Sequence, residues 1–67
     1  MKLKMNLPLL LFNKNMRQID LCRKTGIRPG TINEYYNDCW ISIKKKHIEQ
    51  ICEVLDCDVS ELFKIVK

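Results

Sequence analysis

MRQIDLCRKTGIRPGTINEYYN, residues 16–37, decides how this chain is built. A short amphipathic run ends at Thr25-Gly26, a lone apolar residue follows at Ile27, and a second run opens with Arg28-Pro29. Gly past the end of a helix supplies the left-handed residue that closes it, and Pro just inside the next helix has its φ already set. The residue before Pro is biased to extended backbone, so Arg28 marks a corner. The pattern predicts one helix over Arg17–Lys24, with Leu21 and Cys22 inward and Ile19 at the margin. A second is predicted from Pro29 to Asn37, with Ile32 and Tyr35 inward. Asn15 with Gln18 three residues on is a capping-box pattern, which allows the earlier helix to start two residues sooner. Two helices joined by a tight turn around Gly form a helix-turn-helix over about 17–37, a layout whose second helix can lie in a DNA major groove.

Outward from that pair, the flanks read as support. Residues 1–5 read as a loose end. Asn6 and Pro8 open a helix over about 6–14, with Leu7, Leu10 and Leu11 on one face. Residues 38–44, DCWISIK, form an apolar loop in which Trp40 either caps the core or adds to a dimer contact. Ile48, Ile51, Cys52 and Leu55 recur at helical spacing and predict a helix over about 44–56. Asp58-Val59-Ser60-Glu61 is a capping box, and Val59, Leu62, Phe63 and Val66 extend the predicted last helix over 59–66. The expectation is an all-α fold, a compact set of five short helices forming a single domain over 1–67.

With 67 residues and 46% apolar composition the chain suits one small globular domain of marginal stability. Its charge is divided. Residues 1–46 carry ten Lys/Arg against three Asp/Glu, and residues 47–67 carry two against five. A basic body points to a polyanionic partner, and a solvated lysine-rich surface is the plain alternative. The four cysteines form no C-x-x-C pair and the chain has one histidine, His47, so no metal is expected. Cys22, Cys52 and Cys57 fall on apolar periodicities as small core residues. No signal peptide and no membrane-length apolar run is present, which predicts a cytoplasmic protein with reduced thiols and no membrane contact. No paired carboxylates, nucleophile–base pair or phosphate-cradling loop argues for an enzyme, and no cofactor or small-molecule ligand is evident.

The ordered set Gln18, Leu21-Cys22, Gly26-Ile27, Thr31-Ile32, Tyr35 and Asn37 resembles the Cro/cI-type helix-turn-helix domains of the XRE family. The run from Ile48 to Leu55 and the capped Asp58–Phe63 extend the likeness, so that it covers about Asn6 to Val66. The resemblance implies a lambda-repressor-like DNA-binding domain with its third helix in the major groove of double-stranded DNA. Family members usually bind as dimers, and Phe63, Ile65 and Val66 offer one candidate homodimer surface. By the same resemblance Gln18 reaches a phosphate and braces the recognition helix. Pro29, Gly30 and Asn33 occupy base-reading positions, Asn37 contacts the backbone, and Lys44 lies near the groove edge. The chain departs from the pattern at Arg17 and Arg28, which replace small capping residues, at Pro29 and Gly30, which offer no side-chain amide to a base, and at Asp38 in place of Gly.

Elementary chemistry assigns expected roles on that surface. Arg28 suits a guanine edge, Thr31 a thymine methyl or a phosphate, and Asn33 an adenine; Glu34 either accepts from a cytosine amine or repels phosphate. Arg17, Gln18, Asn37, Lys44, Lys45 and Lys46 are phosphate candidates. Three lysines at a helix N-terminus oppose the macrodipole, which argues for a role outside helix stability. The expected function is sequence-specific transcriptional regulation, as a repressor. A protein-interaction module on the same fold, an antitoxin or adaptor with weak DNA binding, is the alternative.

Overall fold

The computed structural model describes the whole chain, Met1–Lys67. Its elements run β1 (Lys2–Met5), α1 (Leu7–Asn13), α2 (Gln18–Thr25), α3 (Pro29–Tyr36), α4 (Lys45–Leu55), α5 (Val59–Leu62) and β2 (Phe63–Val66). Twelve buried apolar residues form one core, in which Leu7, Leu11, Leu21, Ile32, Ile51, Leu55 and Leu62 join all five helices. Cys22 is buried there, and Cys52 and Cys57 pack half-buried against it, as their spacing predicts.

Two expectations are corrected. The all-α reading holds for the helices and fails at the ends, where β1 and β2 pair antiparallel with Leu3 opposite Ile65 and Met5 opposite Phe63. The supposed loose end is therefore a strand, and the last helix stops at Leu62 because Phe63 takes extended backbone (φ −115°, ψ 144°). The physical reason is legible afterwards: Lys2-Leu3-Lys4-Met5 alternates polar and apolar with the period of a strand. The strand seats Met5 at 0% exposure, and the ladder runs on through the Asn6 N–H, which donates to Leu62 O at 2.6 Å.

Helix ends are managed by left-handed residues. Gly26 (φ 78°) closes α2, but Asn15, Asp38 and Asp56 (φ 57°, 59° and 49°) close α1, α3 and α4. Asn15 thus belongs to the end of α1, and the Asn15–Gln18 capping box is not formed; the Arg17 N–H donates instead to Asp20 Oδ2 at 2.9 Å. That backbone hydrogen bond, aided by the charge of Arg17, holds the Asp20 carboxyl below its ordinary range. After α4 the Cys57 N–H donates to Cys52 O (3.0 Å) and the Asp56 N–H to Glu53 O (3.3 Å), the paired bonds of a Schellman ending. After α3 the Cys39 and Asp38 N–H groups donate in the same way to Glu34 O and Tyr35 O.

The two aspartates differ in what else they do. Asp38 Oδ1 accepts from the Met5 N–H (3.2 Å) and from Trp40 Nε1 (3.1 Å), so it ties β1 and the loop to the end of α3. Trp40, half-buried, meets the Phe63 ring edge-on at 5.9 Å, which places it as a cover on the core. The Asp56 carboxylate has no such partner; it sits in left-handed backbone at the negative end of α4. Asp56→Gly removes both penalties and is expected to raise stability by about 0.5–1 kcal/mol. Thermal unfolding followed by circular dichroism checks this; Asp38→Gly should give no such gain, because it releases β1 and Trp40.

Candidate nucleic-acid interface

The turn between α2 and α3 is fixed by one buried hydroxyl. Thr25 Oγ1 donates to Leu21 O at 2.7 Å and accepts the Ile27 N–H at 3.2 Å, while the Gly26 N–H donates to Cys22 O at 2.8 Å. Ile27 is buried, Arg28 is extended (φ −62°, ψ 143°), and Pro29 opens α3. From the middle of α4, Gln50 Nε2 donates to Thr25 O at 3.1 Å, which holds that helix against the turn.

This framework sorts the expected site residues into two groups and some outliers. Gln18, Asn33 and Asn37 form a chain of amides: Asn33 Nδ2 donates to Gln18 Oε1 at 3.4 Å, and Asn37 Nδ2 donates to Asn33 Oδ1 at 3.1 Å. Gln18, at the start of α2, thus touches α3 through Asn33. Pro29 and Gly30, both exposed, lie beside this chain and with Gln18, Ile19, Cys22 and Asn33 line a shallow hollow between the helices. On the other flank Arg28, Thr31 and Lys44 come together with Gly26, Ile27 and His47 around a polar notch between the turn and the start of α4.

The outliers sit apart. Glu34 lies on the flank of α3 that faces the 39–42 loop, with Thr31 and Trp40 around a separate hollow. Arg17 is exposed, with Nε 3.7 Å from Asp20 Oδ2. Lys45 and Lys46 are exposed in the first turn of α4. The acids Glu49, Glu53, Asp56, Asp58 and Glu61 are exposed along α4 and α5 and beyond.

Two residues of α4, one bonded to the turn and one lining the notch, stand outside the site read from the sequence. Gln50 carries no motif signal. His47, noted in the sequence only as the single histidine, is half-buried, and its Nδ1 lies 2.7 Å from the Tyr35 hydroxyl, with the two rings edge-to-face at 5.9 Å. Burial raises the Tyr35 phenol, and burial together with Lys44 and Lys46 lowers the imidazole below its usual value.

Elsewhere the chemistry is quiet. Burial first, and then the neighbouring Cys52, push the Cys57 thiol up to about 11, so it stays protonated at neutral pH and is a poor nucleophile. No three His, Cys, Asp or Glu side chains gather where a metal ion would sit, and no helix is long and apolar enough to cross a membrane.

Two short helices about a Gly-closed turn, an amide-braced second helix and a cationic flank define a helix-turn-helix domain. A sequence model of the Cro/C1-type HTH DNA-binding domain matches residues 6–67, and the chain belongs to that family. No curated protein and no solved structure shows a significant match.

Proposed function

We propose that this single domain is a sequence-specific transcriptional regulator, a repressor acting in the cytoplasm, with α3 set into the major groove of its operator. What carries the reading is the grouping around α3. The amides of Gln18, Asn33 and Asn37 lie on one side and Arg28, Thr31 and Lys44 on the other, and no acid lines the hollow on either side. Gln18, Asn37, Arg17 and Lys44 to Lys46 hold phosphates on both edges of the groove; Arg28, Thr31 and Asn33 meet base edges, and Glu34 flanks them. Pro29 and Gly30 let the backbone of α3 approach closely.

The working unit is a homodimer with its two recognition helices about 34 Å apart, one helical turn of DNA. The exposed side chains of Ile65, now on β2, and of its partner Leu3 on β1 supply a surface for the second copy, with Val66 on the other face of the strand.

The test is a salt titration of duplex binding with the DNA that flanks the protein's own gene against random competitor. Log affinity should fall against log salt with a slope of about −0.9 for each phosphate contacted, and the flanking DNA should win. Weak binding of every duplex alike, or none, sinks the regulator. That result would favour an interaction module, for which Phe12 (80% exposed) and Ile19 (40% exposed), beside a hollow lined by Pro8, Leu11, Met16 and Tyr36, are the specific observation.

A further inference from the structure

The chain has a single histidine, and its placement exceeds what a core contact needs. His47 sits one turn into α4 with one ring nitrogen turned inward to Tyr35, at 2.7 Å. Tyr35 is 97% buried, since it is 3% exposed, and its raised phenol is held as a neutral O–H. In the tautomer in which the phenol donates to Nδ1, the ring proton resides on Nε2. Nε2 has no protein partner, and no buried side-chain nitrogen or oxygen in the protein lacks one, so Nε2 opens to solvent. His47 itself lines the notch together with Arg28, Thr31 and Lys44. An imidazole with one ring nitrogen tied to Tyr35 and the other free therefore stands beside two cations and a hydroxyl, next to the helix proposed to enter the groove.

We propose that His47 is a phosphate ligand in the DNA complex, oriented by Tyr35, and that it couples binding to uptake of one proton per protomer. The inference rests on the DNA-binding reading above and names a contact and a regulation within it.

The groups facing the ring fix the direction of the coupling. On its own helix these are Lys44 and Lys46; across the notch they are Arg28 and the Tyr35 phenol on α3; the turn contributes Gly26 and Ile27, which do not ionise. Glu34 acts on Tyr35 and not on His47. In the free protein, cations and burial thus keep the imidazole neutral at pH 7. A phosphate at Nε2 brings the missing negative charge and stabilises the imidazolium, with the proton drawn from solvent. Charged, the ring donates from Nε2 to the phosphate and from Nδ1 to the Tyr35 oxygen. Because the complex binds more protons than the free protein, affinity rises as pH falls between the free and bound pKa values.

The experiment is fluorescence anisotropy on a duplex about two helical turns long (~20 bp), at constant ionic strength, with wild type, His47→Gln and His47→Ala. Wild-type affinity should gain about fivefold per protomer between about pH 7.5 and about pH 6.0. His47→Gln, which keeps a donor and cannot titrate, should bind at neutral pH with a flat profile. His47→Ala should be flat and weaker. Alongside, the lone histidine ring signal gives its pKa by NMR, which should rise when the duplex is added. A flat wild-type profile, or one that His47→Gln reproduces, overturns the proposal while leaving DNA binding intact. Absence of duplex binding at every pH overturns the DNA reading, and this proposal falls with it.

Discussion

Met5→Ala is expected to cost about 2–5 kcal/mol of stability and to lower the melting temperature by at least ~10 °C. Met5 is at 0% exposure and is a member of the central core. Its side chain fills space that no other residue of β1 reaches, and its N–H is held by Asp38. Removing the thioether leaves a cavity in a domain too small to absorb one, since such domains have little stability to spare. Leu3→Ala on the same strand provides the contrast. Leu3 is 53% exposed, and its truncation should change stability by no more than about 0.5 kcal/mol. Urea unfolding of both variants distinguishes an anchored strand from the loose end that residues 1–5 resemble in sequence. Equal, small effects would mean that β1 does not close the core.

That contrast shows where the chain speaks plainly and where it does not. α3 is announced by Arg28-Pro29, and α4 by Ile48, Ile51, Cys52 and Leu55, because the Pro boundary and the 3.6-residue period are local signals. The strands are local only in part. Lys2 to Met5 alternates, but four residues of alternation weigh little until a partner is known, and that partner lies about sixty residues away. Phe63 and Val66 fit a helix as well as a strand, and Leu62, common to both readings, is buried in either. What decides is the pairing with β1, a long-range contact that no window of sequence contains.

The candidate site divides in the same way. Gln18 and Asn33 were legible as surface amides, and the 3.4 Å contact between them is a product of the helix crossing angle. The capping of α2 by Asp20 rather than by Asn15 turns on Asn15 taking the left-handed backbone that ends α1. The Tyr35–His47 pair joins a helix to another across an intervening loop, and although Tyr35 belongs to the helix-turn-helix pattern, His47 stands in no motif. Asp38 was legible as a departure from Gly, but its two hydrogen bonds to Met5 and Trp40 were not.

Arg28→Ala is expected to weaken binding to the preferred site by about 1–3 kcal/mol, roughly 5- to 150-fold, with a much smaller loss on competitor DNA. Pro29 has no side-chain donor and Gly30 no side chain. Asn33 already gives one amide proton to Gln18 and one lone pair to Asn37, so its free capacity is half that of an unengaged amide. Thr31 is half-buried at the notch. Arg28 is the exposed long donor at the leading end of α3, with two parallel N–H groups that match guanine O6 and N7. Arg28→Lys separates the two contacts open to it. Lysine keeps the charge but not the fork. If Arg28 reads a base, Arg28→Lys should lose preference nearly as Arg28→Ala does, while the salt slope stays near the wild-type value. If Arg28 only holds a phosphate, Arg28→Lys should bind almost as wild type, and Arg28→Ala should weaken all duplexes alike while reducing the salt slope by about 0.9. The domain's power to choose a sequence then turns on one side chain, because the two positions that follow it in α3 have no hydrogen-bonding side chain to give.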